Sequence, residues 1–96
     1  MTSPEVTERK EMSGVELIAV ERERQIGEEG WSSSHDSDYD RGQLAAAAAC
    51  YAWPDVKDEW WPWEEKWWKP KDDLRNLVRA GALIAAEIDR LQRADG

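Results

Sequence analysis

Apolar residues recur at helical spacing in three stretches of this chain, and the segments between them carry no such rhythm. From Ser13 onward, Val15, Ile18, Ala19, the stem of Arg22 and Ile26 fall on one stripe, which predicts a helix over about 14–29. Ser13 followed three residues later by Glu16 has the form of a capping box at its start. Gly27 weakens this helix and Gly30 ends it. A second helix is predicted from a cap at Asp40, with Arg41 and Gly42 in its first turn and the run LAAAAACYAW carrying it to Pro54. The third, over about 72–93, is the most regular, with Leu74, Leu77, Val78, Gly81, Ile84, Ala85, Ile88 and Leu91 on one apolar stripe. Gly81 sits mid-seam, where a glycine costs a helix about 1 kcal/mol relative to alanine. Close packing against another helix, in this chain or in a second copy, would offset that cost.

The intervening segments read as connections. Residues 1–12 are polar and aperiodic, a tail that nothing requires to fold. WSSSHDSDYD, from Trp31 to Asp40, has turn chemistry throughout. Residues 54–70 are crowded with tryptophan and proline, and Pro62 is placed to open a short helix with Trp60, Trp63 and Trp67 on one side. No stretch alternates as a strand would, and no segment repeats. The expected fold is all-α: a single domain over 13–93, with a short tail at 94–96, built as a three-helix bundle with a Trp-rich connection between helices two and three. A bundle this short is suited to completing its core by dimerising.

Composition sharpens the picture. Of 96 residues 41% are hydrophobic, yet Phe is absent and there are seven Trp, so indoles must carry the aromatic packing or be left facing a partner. The net charge is -8, and since residues 61–96 hold 7 basic and 7 acidic groups, the whole excess lies in residues 1–60. Such a balance argues against a sequence-independent grip on duplex DNA and suits a basic protein partner. Cys50 alone cannot close an intrachain disulfide, and neither a signal-peptide pattern nor an apolar run of about 18 residues is present. A reducing cytoplasm is the expected location, with no membrane partner.

Four groups of residues could carry chemistry. The run from His35 to Asp40 sets Asp36, Asp38 and Asp40 alternately in a loop, where they could gather round a hard cation such as magnesium or simply form a capped polar turn. An EF-hand is not among the options, because Arg41 and Ala47 stand where glycine and glutamate are needed. Lys71, Arg75 and Arg79, spaced by four, share a helix face, and with Lys66 and Lys69 they form the one basic patch. That patch is either a clamp for phosphate or carboxylate or a solvated face paired with nearby acids. Trp53, Trp60, Trp61, Trp63, Trp67 and Trp68 could stack a base beside those cations, or roof the alanine-rich second helix. The last group is Glu21, Glu28, Glu87 and Asp89, which could bridge helices through a metal or remain solvated acids.

The residues Glu21-Arg22, Arg24-Gln25-Ile26, Glu29-Gly30-Trp31, His35-Asp36, Leu44 to Ala47, Trp67-Trp68-Lys69-Pro70, Leu77-Val78, Ala80 to Ile84, Glu87-Ile88 and Arg90-Leu91 resemble those of small helical proteins encoded by bacteriophages and prophages. More distantly, the opening Glu-Arg-x-Arg-Gln and the closing Ile-Asp-Arg helix resemble MazG-like all-α nucleoside triphosphate pyrophosphohydrolases. That resemblance implies an oligomeric bundle acting on nucleotides in a bacterial cytoplasm, with magnesium held by a Glu-Glu-x-x-Glu run and a later Glu-x-x-Asp pair. Here the second helix reads Gln43-Leu44-Ala45-Ala46-Ala47-Ala48, without a carboxylate. Since phosphate-bond cleavage needs metal to neutralise the transferring oxygens, the expectation is binding without hydrolysis.

Three roles follow as expectations. The first is a module that binds a nucleotide or nucleotide-derived signal through Lys69, Lys71, Arg75, Arg79, Trp63, Trp67 and Trp68. The second is an acidic protein that inhibits a host defence or replication factor by meeting its basic surface. The third is a magnesium-dependent pyrophosphohydrolase recruiting Glu21, Glu28, Asp36 and Glu87, and the candidate metal ligands of the chain are Asp36, Asp38 and Glu87.

Overall fold

The capping box forms as its spacing requires. The Ser13 N–H donates to Glu16 Oε1 at 2.8 Å, and the Glu16 N–H donates to Ser13 Oγ at 3.1 Å. Helix α1 follows over Gly14–Glu28. A computed structural model describes residues 12–28 and 42–95. The expected loop and its aspartates, Asp36 and Asp38 included, and the proposed cap at Asp40 lie outside the described residues.

Helix α2 spans Gln43–Ala52 and is preceded by Gly42, whose φ of 85° lies in the left-handed region. Gly42 therefore stands before the helix rather than in its first turn, and only glycine takes that backbone without a Cβ clash. The helix stops at Trp53, whose N–H donates to Ala49 O at 2.8 Å, because Pro54 has no N–H to extend the ladder. Pro54–Val56 turns as 3₁₀ and runs into the single-turn α3, Lys57–Trp60. The helix expected to open at Pro62 does not form. Trp61, held extended at φ -66° and ψ 120° as the residue before proline must be, ends α3 instead. A further 3₁₀ turn, Glu65–Trp67, precedes the long helix α4 over Asp73–Asp95. Asp72 caps α4 by accepting the Arg75 N–H at Oδ1, 2.8 Å away.

All regular structure among the described residues is helical, without a strand, so the all-α expectation holds. Helix α4 is the spine, with α2 and α1 packed on it and α3 leaning on α2. The core lies between α2 and α4, where Leu44, Ala47, Ala48 and Tyr51 interlock with Ala80, Leu83 and Ala86. Six of those contacts are made by side chains no larger than leucine, four of them alanine, so the two backbones approach closely. Cys50 is buried beside this core with its thiol pKa pushed up by burial, which keeps it neutral and unreactive.

The stripe expected to be buried on α4 is not the one that meets α2. Leu74, Leu77, Ile84, Ile88 and Leu91 are all about half exposed. Helix α4 has two apolar faces, and the slim alanine helix takes the alanine face, where its own small side chains fit. The prediction for α1 is corrected in the same way. Val15, Ala19 and Ile26 face outward, Ile18 is half-buried, and the residues of α1 that are buried are Arg22 and Gln25.

Charge holds α1 in place. Glu21 receives a forked pair from Arg24 at 2.9 and 2.6 Å, a bond from Gln25 Nε2 at 3.3 Å, and the Arg79 guanidinium of α4 at 3.7 Å. Arg22 reaches Asp89 of α4 at 3.5 Å. The Arg24 hydrogen bonds, outweighing burial and aided by Arg79, hold the Glu21 carboxyl below its ordinary pKa of 4.5. A carboxylate whose pKa is depressed on folding stabilises the folded state above its unfolded pKa, and that contribution fades as pH falls through the folded value. Glu21→Gln is therefore expected to lose about 1–2 kcal/mol at neutral pH, after allowing for solvent at the edge of the network. The gap to the parent protein should close as pH drops below 4.5, and urea melts across that range will read it. A deficit that stays constant down to the acid limit would remove the carboxylate from this role.

Candidate functional site

The connection between α2 and α4 folds over Tyr51. Its ring stands edge-on to Trp61, with centroids 5.7 Å apart and planes at 80°, and lies tilted against Trp68 at 4.7 Å. Trp61 also meets Trp68 at 5.0 Å and Trp63 at 5.3 Å, both edge-to-face. Such geometries match the ring quadrupoles. Trp61 Nε1 donates to Glu64 O at 3.0 Å, which closes the turn. The Tyr51 hydroxyl accepts the Lys69 N–H at 3.2 Å and Arg79 Nη1 at 3.4 Å, so it pins the far end of the connection to α4. Buried Asn76 completes the attachment by accepting the Lys71 N–H at 2.7 Å and donating to Lys71 O at 3.0 Å. Lys57 of α3 pairs with Glu65, which raises the Lys57 pKa and ties α3 to the second 3₁₀ turn.

The six indoles among the described residues divide evenly between two roles. Trp61, Trp63 and Trp68 are partly buried against the core, whereas Trp53, Trp60 and Trp67 are more than half exposed. Of these three exposed rings Trp67 carries cations, Lys66 Nζ lying 5.3 Å and Lys69 Nζ 6.0 Å from its ring centroid, while Lys57 Nζ lies 5.9 Å from the partly buried Trp68. Glu64 approaches Lys66 at 3.6 Å, and both are well exposed, so it neutralises that ammonium only weakly. Trp53 and Trp60 instead bracket the acids Asp55, Asp58 and Glu59, all exposed.

Among the residues expected to bind a ligand, the structure brings Lys69 and Trp67 together and adds Lys66 to them. Trp63 and Trp68 turn inward to the core and Tyr51. Lys71 and Arg75 are exposed at the head of α4. Arg79 is committed inside the protein, its guanidinium between Glu21 and the Tyr51 ring at 5.4 Å, so it is not a free phosphate clamp. The anchor that was missed is Tyr51. Its position after Leu44, Ala47 and Ala48, at i, i+3, i+4 and i+7, already marked it as core-facing.

The acids do not assemble into a metal centre among the described residues. Glu87 is held by a fork from Arg90 at 2.9 and 3.0 Å, and Glu21 is shared between arginines. No group of three His, Cys, Asp or Glu there is placed to hold a metal ion. Glu87 is a partner of Arg90, and no second acid is gathered with it into a ligand set among the described residues. No described helix is long and apolar enough to cross a membrane.

The chain matches no family model, no curated protein and no solved structure. The corner at Trp67 sets an exposed indole beside two exposed ammonium groups.

Proposed function

We propose that the chain is a non-catalytic binding module that takes a nucleotide or nucleotide-derived signal on Trp67. The observation that carries this reading is a half-exposed indole with two ammonium groups within reach of its ring. A base stacks on such a face for about 1–3 kcal/mol regardless of its identity. Phosphates then meet Lys66 and Lys69, with exposed Lys71 and Arg75 further along the chain adding long-range attraction. The described acids that a magnesium-dependent hydrolase would need are occupied by arginines, which favours binding over cleavage.

Titration of the protein with linear and cyclic nucleotides, followed by tryptophan emission, tests the proposal. Quenching is expected, and Trp67→Ala should weaken binding by about 5- to 100-fold while Trp67→Tyr retains most of it. Lys66→Ala with Lys69→Ala should weaken it too and flatten its dependence on salt. Absence of any response, or quenching untouched by these changes, would overturn the reading. Salt-sensitive capture of a basic protein by the Trp53 to Trp60 face, with no nucleotide response, would favour instead an acidic inhibitor of a host factor.

A further inference from the structure

Resting on the nucleotide reading above, we infer that the ligand at Trp67 carries a single phosphate group, as a nucleoside monophosphate or cyclic monophosphate does, and that the acids flanking this corner, Glu64 first among them, turn away longer phosphate chains. The sequence sets the corner between two pairs of acids: Glu64-Glu65 stands directly before Lys66-Trp67, and Asp72-Asp73 follows Lys69 and Lys71. All four carboxylates are exposed. Lys66 and Lys69 lie against the ring itself, 5.3 and 6.0 Å from its centroid, so the phosphate they meet is the one joined closest to the stacked base. A second or third phosphate must run on beyond them.

The neighbouring cations are engaged or balanced. Lys57 pairs with Glu65 and Asp58, and Arg79 is held between Glu21 and Tyr51. Lys71 and Arg75, the next basic residues along the chain, are interleaved with Asp72 and Asp73, so a phosphate tail that reached them would meet as much negative charge as positive. Glu64 comes within 3.6 Å of Lys66, so an anion bound at Lys66 has a carboxylate for a neighbour. One phosphate monoester carries a charge of about -1.5 to -2 at neutral pH, which two ammonium groups match. Further phosphates add repulsion without adding partners, and discrimination by repulsion is as effective as discrimination by new contacts. Exposed charges act weakly on one another in water, but the effect grows with each negative charge that the ligand brings. The net charge of -8 on the whole chain works in the same direction at longer range.

Titration of the full chain with adenosine, AMP, cyclic AMP, ADP and ATP, free of divalent cations and at one ionic strength, reads the preference through tryptophan emission. AMP and cyclic AMP are expected to bind about 3- to 10-fold more tightly than adenosine, and ADP and ATP no more tightly than AMP. Neutralising both flanks by Glu64→Gln with Asp73→Asn should tighten ATP by about 3- to 10-fold and AMP by less, which reverses the order. Both carboxylates are exposed, so helical circular dichroism should stay at the parent level. Should the double variant lose helicity, Glu64→Gln alone, at a position outside the helices, makes the same test with a smaller change. ATP binding more tightly than AMP in the parent protein, adenosine matching AMP, or an order that the substitutions leave unchanged overturns the single-phosphate ligand and leaves Trp67 as a base-stacking site. Silence with every nucleotide removes the Trp67 reading itself, and the narrower ligand class with it.

Discussion

Tyr51→Ala should lower the stability of the folded chain by about 3–5 kcal/mol and shift tryptophan emission to the red. Tyr51 is 3% exposed, and its ring is the surface on which Trp61 and Trp68 rest. Removing it opens a cavity between α2 and the connection and takes away the hydroxyl that holds Lys69 and Arg79. A domain of this size has only about 5–15 kcal/mol in total, so the variant is expected to lie near the edge of folding. Tyr51→Phe isolates the hydroxyl and should lose about 1 kcal/mol. Urea unfolding followed by emission measures both. If Tyr51→Ala unfolds at the parent midpoint with unshifted emission, the ring is not the keystone of the Trp-rich connection.

The second large effect is at Gly81. A Cβ on this residue would lie 2.4 Å from Ile18 Cδ1 and 2.7 Å from Cγ1, far inside contact distance. Two effects oppose each other in Gly81→Ala, a gain of about 1 kcal/mol in helix propensity and an overpacking loss of about 1–3 kcal/mol. Since Cγ1 is close to the Ile18 backbone and has little room to swing, the loss should prevail. Gly81→Val, with two further methyl groups and poorer helix propensity, is expected to lose about 2–3 kcal/mol. The diagnostic is the double variant. Ile18→Ala with Gly81→Ala should be more stable than the sum of the single changes allows, by at least about 1 kcal/mol, because the clash is absent once Ile18 is shortened. Additive losses would mean that α1 does not rest on Gly81.

These two sites also show what could be read in the amino acids beforehand. The ends of α1 and α4 were legible because caps are local: Ser13 with Glu16, and the polar residues ahead of Leu74, act within one turn. The helical period of α4 was equally plain. What the period could not disclose was which of two apolar faces would meet α2, since that depends on α2 being narrow enough to prefer Ala80 and Ala86 over Leu77 and Ile84. Pro62 is placed by its neighbours to open a helix, but its influence falls on Trp61 before it, ending a turn that Pro54 had begun. Spacing by four gives Lys71, Arg75 and Arg79 a common face. Arg79 was nevertheless drawn inward by Glu21, a partner distant in the chain that no local pattern announces. Trp67 and Lys69 are near neighbours and were legible as members of one candidate site, whereas Lys66 joins them only in the structure.

The way α1 is held sets it apart from the other helices. Its buried groups are an arginine and a glutamine, and its bonds to α4 run through Glu21, Arg22, Arg79 and Asp89. Dissolved ions weaken such attachments where water reaches them, while leaving the alanine and leucine seam between α2 and α4 nearly indifferent. One small protein thus answers to two separate solution variables. Ionic strength acts on the docking of its first helix, and temperature, through the hydration of apolar surface, acts on the pair behind it.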